Sequence, residues 1–96
     1  MLEYTWDPLK EADNIRRRGI GFLEAQSVLL DRRAVTMFDD EHSLQERRYG
    51  TIGYSFRDRI LVLVSSENGH PPRIISARRA TKRERDEYER RRRRAS

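Results

Sequence analysis

Leu2, Tyr4 and Trp6 alternate with Glu3 and Thr5, a period of two that predicts a short strand with one apolar face. Asp7-Pro8 marks a helix start: the carboxylate accepts a free N–H, and proline suits the first helical position because it has no N–H to lose. Leu9, Ala12 and Ile15 fall three apart on one side of that helix. Arg16, Arg17 and Arg18 fill its last turn, where cations meet the negative end of the dipole, and Gly19 is the stop. A shorter helix opens at Gly21-Phe22, with Phe22, Ala25, Val28 and Leu29 as its buried stripe and Asp31-Arg32-Arg33 as its end. Ala34 to Phe38 is rich in strand formers, and Asp39 to His42 is a polar loop.

Three more strands follow. Arg47 to Tyr54 is interrupted by Gly50 and Gly53 and is expected to bend or bulge. Ile60 to Val64 is apolar on both faces, the mark of a central strand. Arg73 to Arg78 is the last. Ser55 to Asp58 is of hairpin length, and Asn68 to Pro72 is a turn. Thr81-Lys82-Arg83-Glu84 is a capping box, in which hydroxyl and carboxylate each satisfy a free N–H. The closing helix is expected to run to about Arg90, with residues 91–96 a frayed basic tail. The order β-α-α-β-β-β-β-α with short links predicts an α+β fold: an antiparallel meander with helices packed on one sheet face, in one domain spanning residues 1–96.

Composition adds a thin core. Only 35% of the 96 residues are hydrophobic and 39% are charged, so a partner is expected to cover part of the surface. The absence of cysteine excludes disulfides and thiolate metal sites. No apolar run reaches the roughly 20 residues of a membrane span, so no membrane partner and no secretory leader are expected, and the location expected is cytoplasmic. Charge is uneven. Residues 1–72 hold ten Lys/Arg and twelve Asp/Glu, whereas residues 73–96 hold eleven and four. Nineteen of the 21 cations are arginine, whose planar fork of donors matches phosphate. A basic end on a near-neutral body points to a polyanion partner, against the alternative of a solvated tail.

Several stretches look familiar in one collinear order. They are Trp6 to Lys10, Asn14 and Gly19 to Ala25; then Asp40 to Ser43, Glu46-Arg47 and Ile52-Gly53; then Arg73 to Ala80, Glu84-Arg85 and Tyr88-Glu89. Together they resemble the BrnT toxin family over nearly the whole chain. The resemblance implies a ribonuclease toxin of a type II toxin–antitoxin pair, with a RelE-like fold, that inhibits translation by cutting RNA. It implies neutralisation by a BrnA-type antitoxin with a ribbon-helix-helix part. The expected complex is a toxin–antitoxin heterotetramer that represses its own operon, so that operator DNA is met only through the antitoxin.

Metal-free RNA cleavage needs a base for the 2′-hydroxyl, cations for the phosphorane-like transition state and an acid for the leaving oxygen. With two histidines, no cysteine and scattered carboxylates, a metal-independent route without cofactors is the simpler expectation. An unperturbed imidazole titrates near neutrality, which makes His42 a candidate, unless it is an ordinary loop histidine. Glu46, four residues on, is a candidate base or a partner that orients a cation. His70, in its Gly-His-Pro-Pro turn, is a lesser one.

Arg47 and Arg48 point to opposite faces, and the resemblance favours Arg47 as the one in a cleft, unless it pairs with Glu46 or Glu84. Alternation on the last strand groups Ile74, Ser76 and Arg78 against Arg73, Ile75, Ala77 and Arg79. Arg78, Arg79, Lys82 and the following helix N-terminus form a candidate phosphate site, the alternative being ion pairs with Glu84, Asp86 or Glu87. Arg73 is a second candidate RNA contact at the strand's other end. Tyr88 either stacks on a base, donates a proton or packs in the core. Arg90 to Arg94 are expected to supply non-specific attraction or to form a disordered tail, not chemistry. The rival class is a non-catalytic basic nucleic-acid-binding module, or a co-repressor acting with its antitoxin.

Overall fold

The computed structural model of the chain describes residues 4–38, 47–67 and 71–94. Its elements are β1 (Thr5–Trp6), α1 (Pro8–Arg18), α2 (Phe22–Ser27) with a 3-10 turn (Val28–Leu30), β2 (Val35–Phe38), β3 (Arg48–Tyr54), β4 (Ile60–Ser66), β5 (Arg73–Arg79) and α3 (Lys82–Arg94). The strands form one sheet in the order β1-β5-β4-β3-β2.

Local signals act as the residue types dictate. Asp7 Oδ1 accepts the Leu9 N–H at 2.8 Å and caps α1, and Gly19 ends it at φ 70. Glu11 on α1 accepts the Phe22 N–H at 2.8 Å, giving α2 the cap that Gly21 lacks. The capping box of α3 is formed: Glu84 N–H donates to Thr81 Oγ1 at 3.2 Å, and Thr81 N–H donates to Glu84 Oε1 at 2.9 Å. β3 and β4 pair antiparallel through the tight turn at Ser55 to Asp58.

Three expectations are corrected. The sheet is mixed, not a pure antiparallel meander, because β1 pairs in parallel with β5. The helices do not share one face. Leu61 and Leu63 of β4 pack with Phe22, Ala25 and Val28, whereas Ile60 and Val62 pack with Tyr88 of α3. Successive strand residues face opposite ways, so α1 and α2 cover one side and α3 stands over the other. The expected face grouping on β5 also fails. A register shift between Val64 and Ser65 lets Ile74 and Ala77, three apart, enter the same core.

Smaller differences have simple causes. The irregularity falls on β4–β5 and not at the glycines of β3, whose register with β4 runs unbroken from Arg48 to Tyr54. Gly53 is instead a close approach: a Cβ there would lie 3.0 Å from Val28 Cγ1 and 3.1 Å from Ala34 Cβ. Leu9 and Ile15 of α1 are exposed, and the helix is fixed by buried Asn14. Its side chain donates to the Ile20 and Ala77 carbonyls at 2.8 and 3.1 Å and accepts the Ala77 N–H at 3.2 Å. Helix α3 continues to Arg94, past Arg90, where fraying was expected.

A cleft beneath helix α3

The two sheet faces differ in finish. On the α1–α2 face the core residues are fully buried, and Trp6 meets Phe22 edge-to-face at 6.1 Å. Buried Glu24 closes that side, accepting from Ser55 Oγ at 2.7 Å and from the Arg59 guanidinium. On the other face, α3 leaves a cleft of about 1120 Å³. Val35, Met37, Ile52, Val62 and Val64 make its apolar floor. Arg83, Glu87, Arg90 and Arg91 of α3 make its wall, spaced so that they share a helix stripe. Tyr88 lines its base, only 2% exposed. The floor runs out to the edge strand β2, where Met37 is 65% exposed.

The candidate residues divide between the two ends of the sheet. At one end Arg48, Ser66 and Arg73 sit side by side on β3, β4 and β5, on the cleft side of the sheet. Arg47 lies just before β3, exposed, with its carbonyl accepting the Glu67 N–H at 3.0 Å. His42, Glu46 and His70 lie outside the described residues. At the other end are Arg78, Arg79 and the start of α3. Five residues of strand, roughly 17 Å, separate Arg73 from Arg78.

Arg78 faces the cleft and is held by Glu84 through two parallel contacts, 2.7 and 2.9 Å. That guanidinium, against an opposing effect of burial, holds the Glu84 carboxyl down at about 2. Arg79 is exposed, and strand alternation turns it to the α1–α2 side, away from Arg78. Lys82 pairs with Asp86 at 2.9 Å, and Arg90 and Arg91 both pair with Glu87. Among the described residues, Arg83 is the cleft cation with no acidic partner.

Tyr88 is fully engaged. Its hydroxyl donates to Asp31 and accepts from Arg92 Nη1 at 3.4 Å. Burial, and then Asp31, push its pKa up to about 12. The described lining thus offers cations, apolar surface and carboxylates already neutralised by neighbours. It can bind and offset phosphate charge, but it holds no histidine. Among the described residues no cluster of three or more His, Asp or Glu is placed to hold a metal ion, and no helix is long and apolar enough to cross a membrane.

Sequence reasoning missed Asp31, whose partners lie far along the chain. It also missed Arg83, which the stripe of Arg83, Glu87, Arg90 and Arg91 would have marked.

A mixed sheet covered by two helices on one face, with an arginine-rich helix over an apolar cleft on the other, defines a small basic α+β protein with one open face. Residues 6–84 match the family described as the ribonuclease toxin, BrnT, of type II toxin–antitoxin systems, and the chain belongs to that family. Membership makes RNA the target and an antitoxin the partner. No curated protein matches the sequence.

Proposed function

We propose that this chain is a metal-independent endoribonuclease that acts in the cytoplasm and inhibits translation, held in check by a BrnA-type antitoxin in a heterotetramer, with operator DNA reached only through that antitoxin. The cleft carries the reading: an apolar floor suited to unstacked bases lies under a helix wall suited to phosphates. A RelE-like architecture is part of the proposal. In it Arg78 and Arg79 serve opposite sides of the β5 end, and Arg78 trades Glu84 for an RNA phosphate on binding. Lys82 stands beside it, and Arg73 and Arg47 meet RNA at the far end. His42 and Glu46 supply the proton transfers that the described lining does not, and Tyr88 supports the bases from beneath.

The test is purified protein on end-labelled RNA, with and without EDTA. Cutting that survives EDTA and leaves 2′,3′-cyclic or 3′-phosphate ends is the expected result. Strict dependence on added Mg²⁺ would sink the metal-free mechanism.

One observation favours a second reading, a nucleic-acid-binding module or co-repressor without catalysis: the cleft cations are mostly paired, and the described lining holds no histidine. Tight RNA binding with no turnover, and harmless expression without the antitoxin, would select it.

A further inference from the structure

Helix α3 is fastened at two places along one stripe, Glu84, Tyr88 and Arg92, four residues apart. The first is its N-terminal end, where Glu84 grips Arg78 and Arg85 Nη1 donates to the Ala80 carbonyl at 3.2 Å. The second, one to two turns on, is built around Asp31 at the end of the 3-10 turn. Asp31 Oδ2 accepts the Tyr54 N–H at 2.8 Å and the Tyr88 hydroxyl, and Oδ1 accepts the Arg33 N–H at 2.9 Å. Arg92 Nη1 stands 3.8 Å from Asp31 Oδ2, and its guanidinium lies 4.8 Å from the centre of the Tyr54 ring. The Tyr54 and Tyr88 rings meet edge-to-face at 5.9 Å. One nearly buried carboxylate therefore joins the 3-10 turn, β3 and α3.

Tyr88 is the sole apolar side chain that α3 buries among the described residues. A helix fixed only at its start swings; a second fixed point sets its angle. The neighbouring stripe of α3 carries Arg83, Arg90 and Arg91 into the cleft, so that angle sets the width of the cleft and the spacing of its cations from the floor.

We propose that Asp31 is a positioning residue for RNA: by holding Tyr88 and Arg92 it fixes α3 as the cleft wall. This rests on the cleft being the RNA site. Asp31 touches no substrate. Its loss leaves every cleft cation in the chain but releases the helix that presents them, so binding weakens more than the chemical step does.

The test uses the full chain, a fluorescein-labelled single-stranded RNA and three variants, with folding confirmed by circular dichroism. Asp31→Asn and Tyr88→Phe are each expected to raise the RNA Kd about tenfold, and Asp31→Asn to leave single-turnover cleavage at saturating RNA within about threefold of wild type. The double variant is expected to match Asp31→Asn, because that change already breaks the Tyr88 link. Glu24→Gln disturbs the other buried acid, on the opposite face, and is expected to lower stability while leaving the RNA Kd unchanged. Carbon-13 tyrosine NMR reads the link itself: Asp31→Asn moves the Tyr88 titration down from about 12 toward the ordinary tyrosine value.

An unchanged Kd in Asp31→Asn, additive losses in the double variant, or an equal Kd rise in Glu24→Gln would each overturn the proposal. Wild-type protein that binds no RNA would do so too. Wild-type protein that binds but never cuts would instead remove the ribonuclease reading, while the Kd comparison still decides the role of Asp31.

Discussion

The two faces of the sheet are built to different standards. The α1–α2 face excludes water: Leu61, Leu63, Ile74 and Ala77 are fully buried, and its polar groups are matched one by one through Asn14 and Glu24. The α3 face buries Tyr88 with Ile60, Val62 and Ala80 and leaves a cleft floored by aliphatic side chains. The same strand supplies both, so the difference lies in what covers it. A closed face has residues with no function but packing. An open face keeps apolar surface in reserve for something else, at the cost of a helix held by a few side-chain links.

The comparison breaks most readily at β4. Leu61→Ala, on the closed face, is expected to cost about 3 kcal/mol, because the void cannot collapse. Val62→Ala, its neighbour on the cleft side, is expected to cost about 1 kcal/mol, because the cleft relaxes around it. Urea unfolding of both variants decides; equal losses would mean that the two faces are equally packed.

Asn14→Ala tests the polar side of the closed face. It strips partners from both backbone groups of Ala77 and from the Ile20 carbonyl, and about 2 kcal/mol of stability is expected to go. A loss below about 0.5 kcal/mol would show that water enters there, which the closed face does not allow.

Acid probes both faces at once. The folded pKa of Glu84 is depressed to about 2, chiefly by Arg78, from an ordinary 4.5. That of Glu24 is depressed as well, chiefly by its hydrogen bond from Arg59. A depressed folded pKa favours the ionised, folded form, so the contribution is complete above about pH 4.5 and is lost as pH falls toward 2. Stability is therefore expected to decline across that window, more shallowly in Glu84→Gln. A Glu84→Gln curve parallel to wild type would show that the half-exposed Arg78 pair contributes nothing, as many surface pairs do.

Arg83→Ala is the mildest change in stability, expected within about 0.5 kcal/mol because the side chain is exposed and unpaired. Its effect belongs to the open face: RNA affinity falls several-fold and the salt dependence of log K loses about one charge unit. An unaltered salt slope would place the phosphates elsewhere.

Much of the fold was legible because it is local. The Asp7-Pro8 start, the Gly19 stop, the Thr81–Glu84 box and the turn at Ser55 to Asp58 each depend on residues within four positions of one another, and all form as the residue types require. Ile60 to Val64, apolar on both faces, marked the central strand. The second cover was not recognisable because α3 buries only Tyr88, which leaves no apolar stripe to find.

Chemistry was legible by type and hidden by placement. The arginines of β5 and α3 stand out in the sequence, and the Arg78–Glu84 pair, weighed there as the alternative to phosphate contact, forms. That Arg48, Ser66 and Arg73 meet side by side follows only from strand register.

The sequence by itself determined the caps, the central strand, the family and the charge at the C-terminal end, since each is written in neighbouring residues or in residue type. Tertiary structure alone decided the parallel β1–β5 pairing, the register shift beside Ser65, the second covered face and the knot at Asp31. Each of those joins residues tens of positions apart, where no local preference acts and only simultaneous packing and hydrogen bonding select the partner.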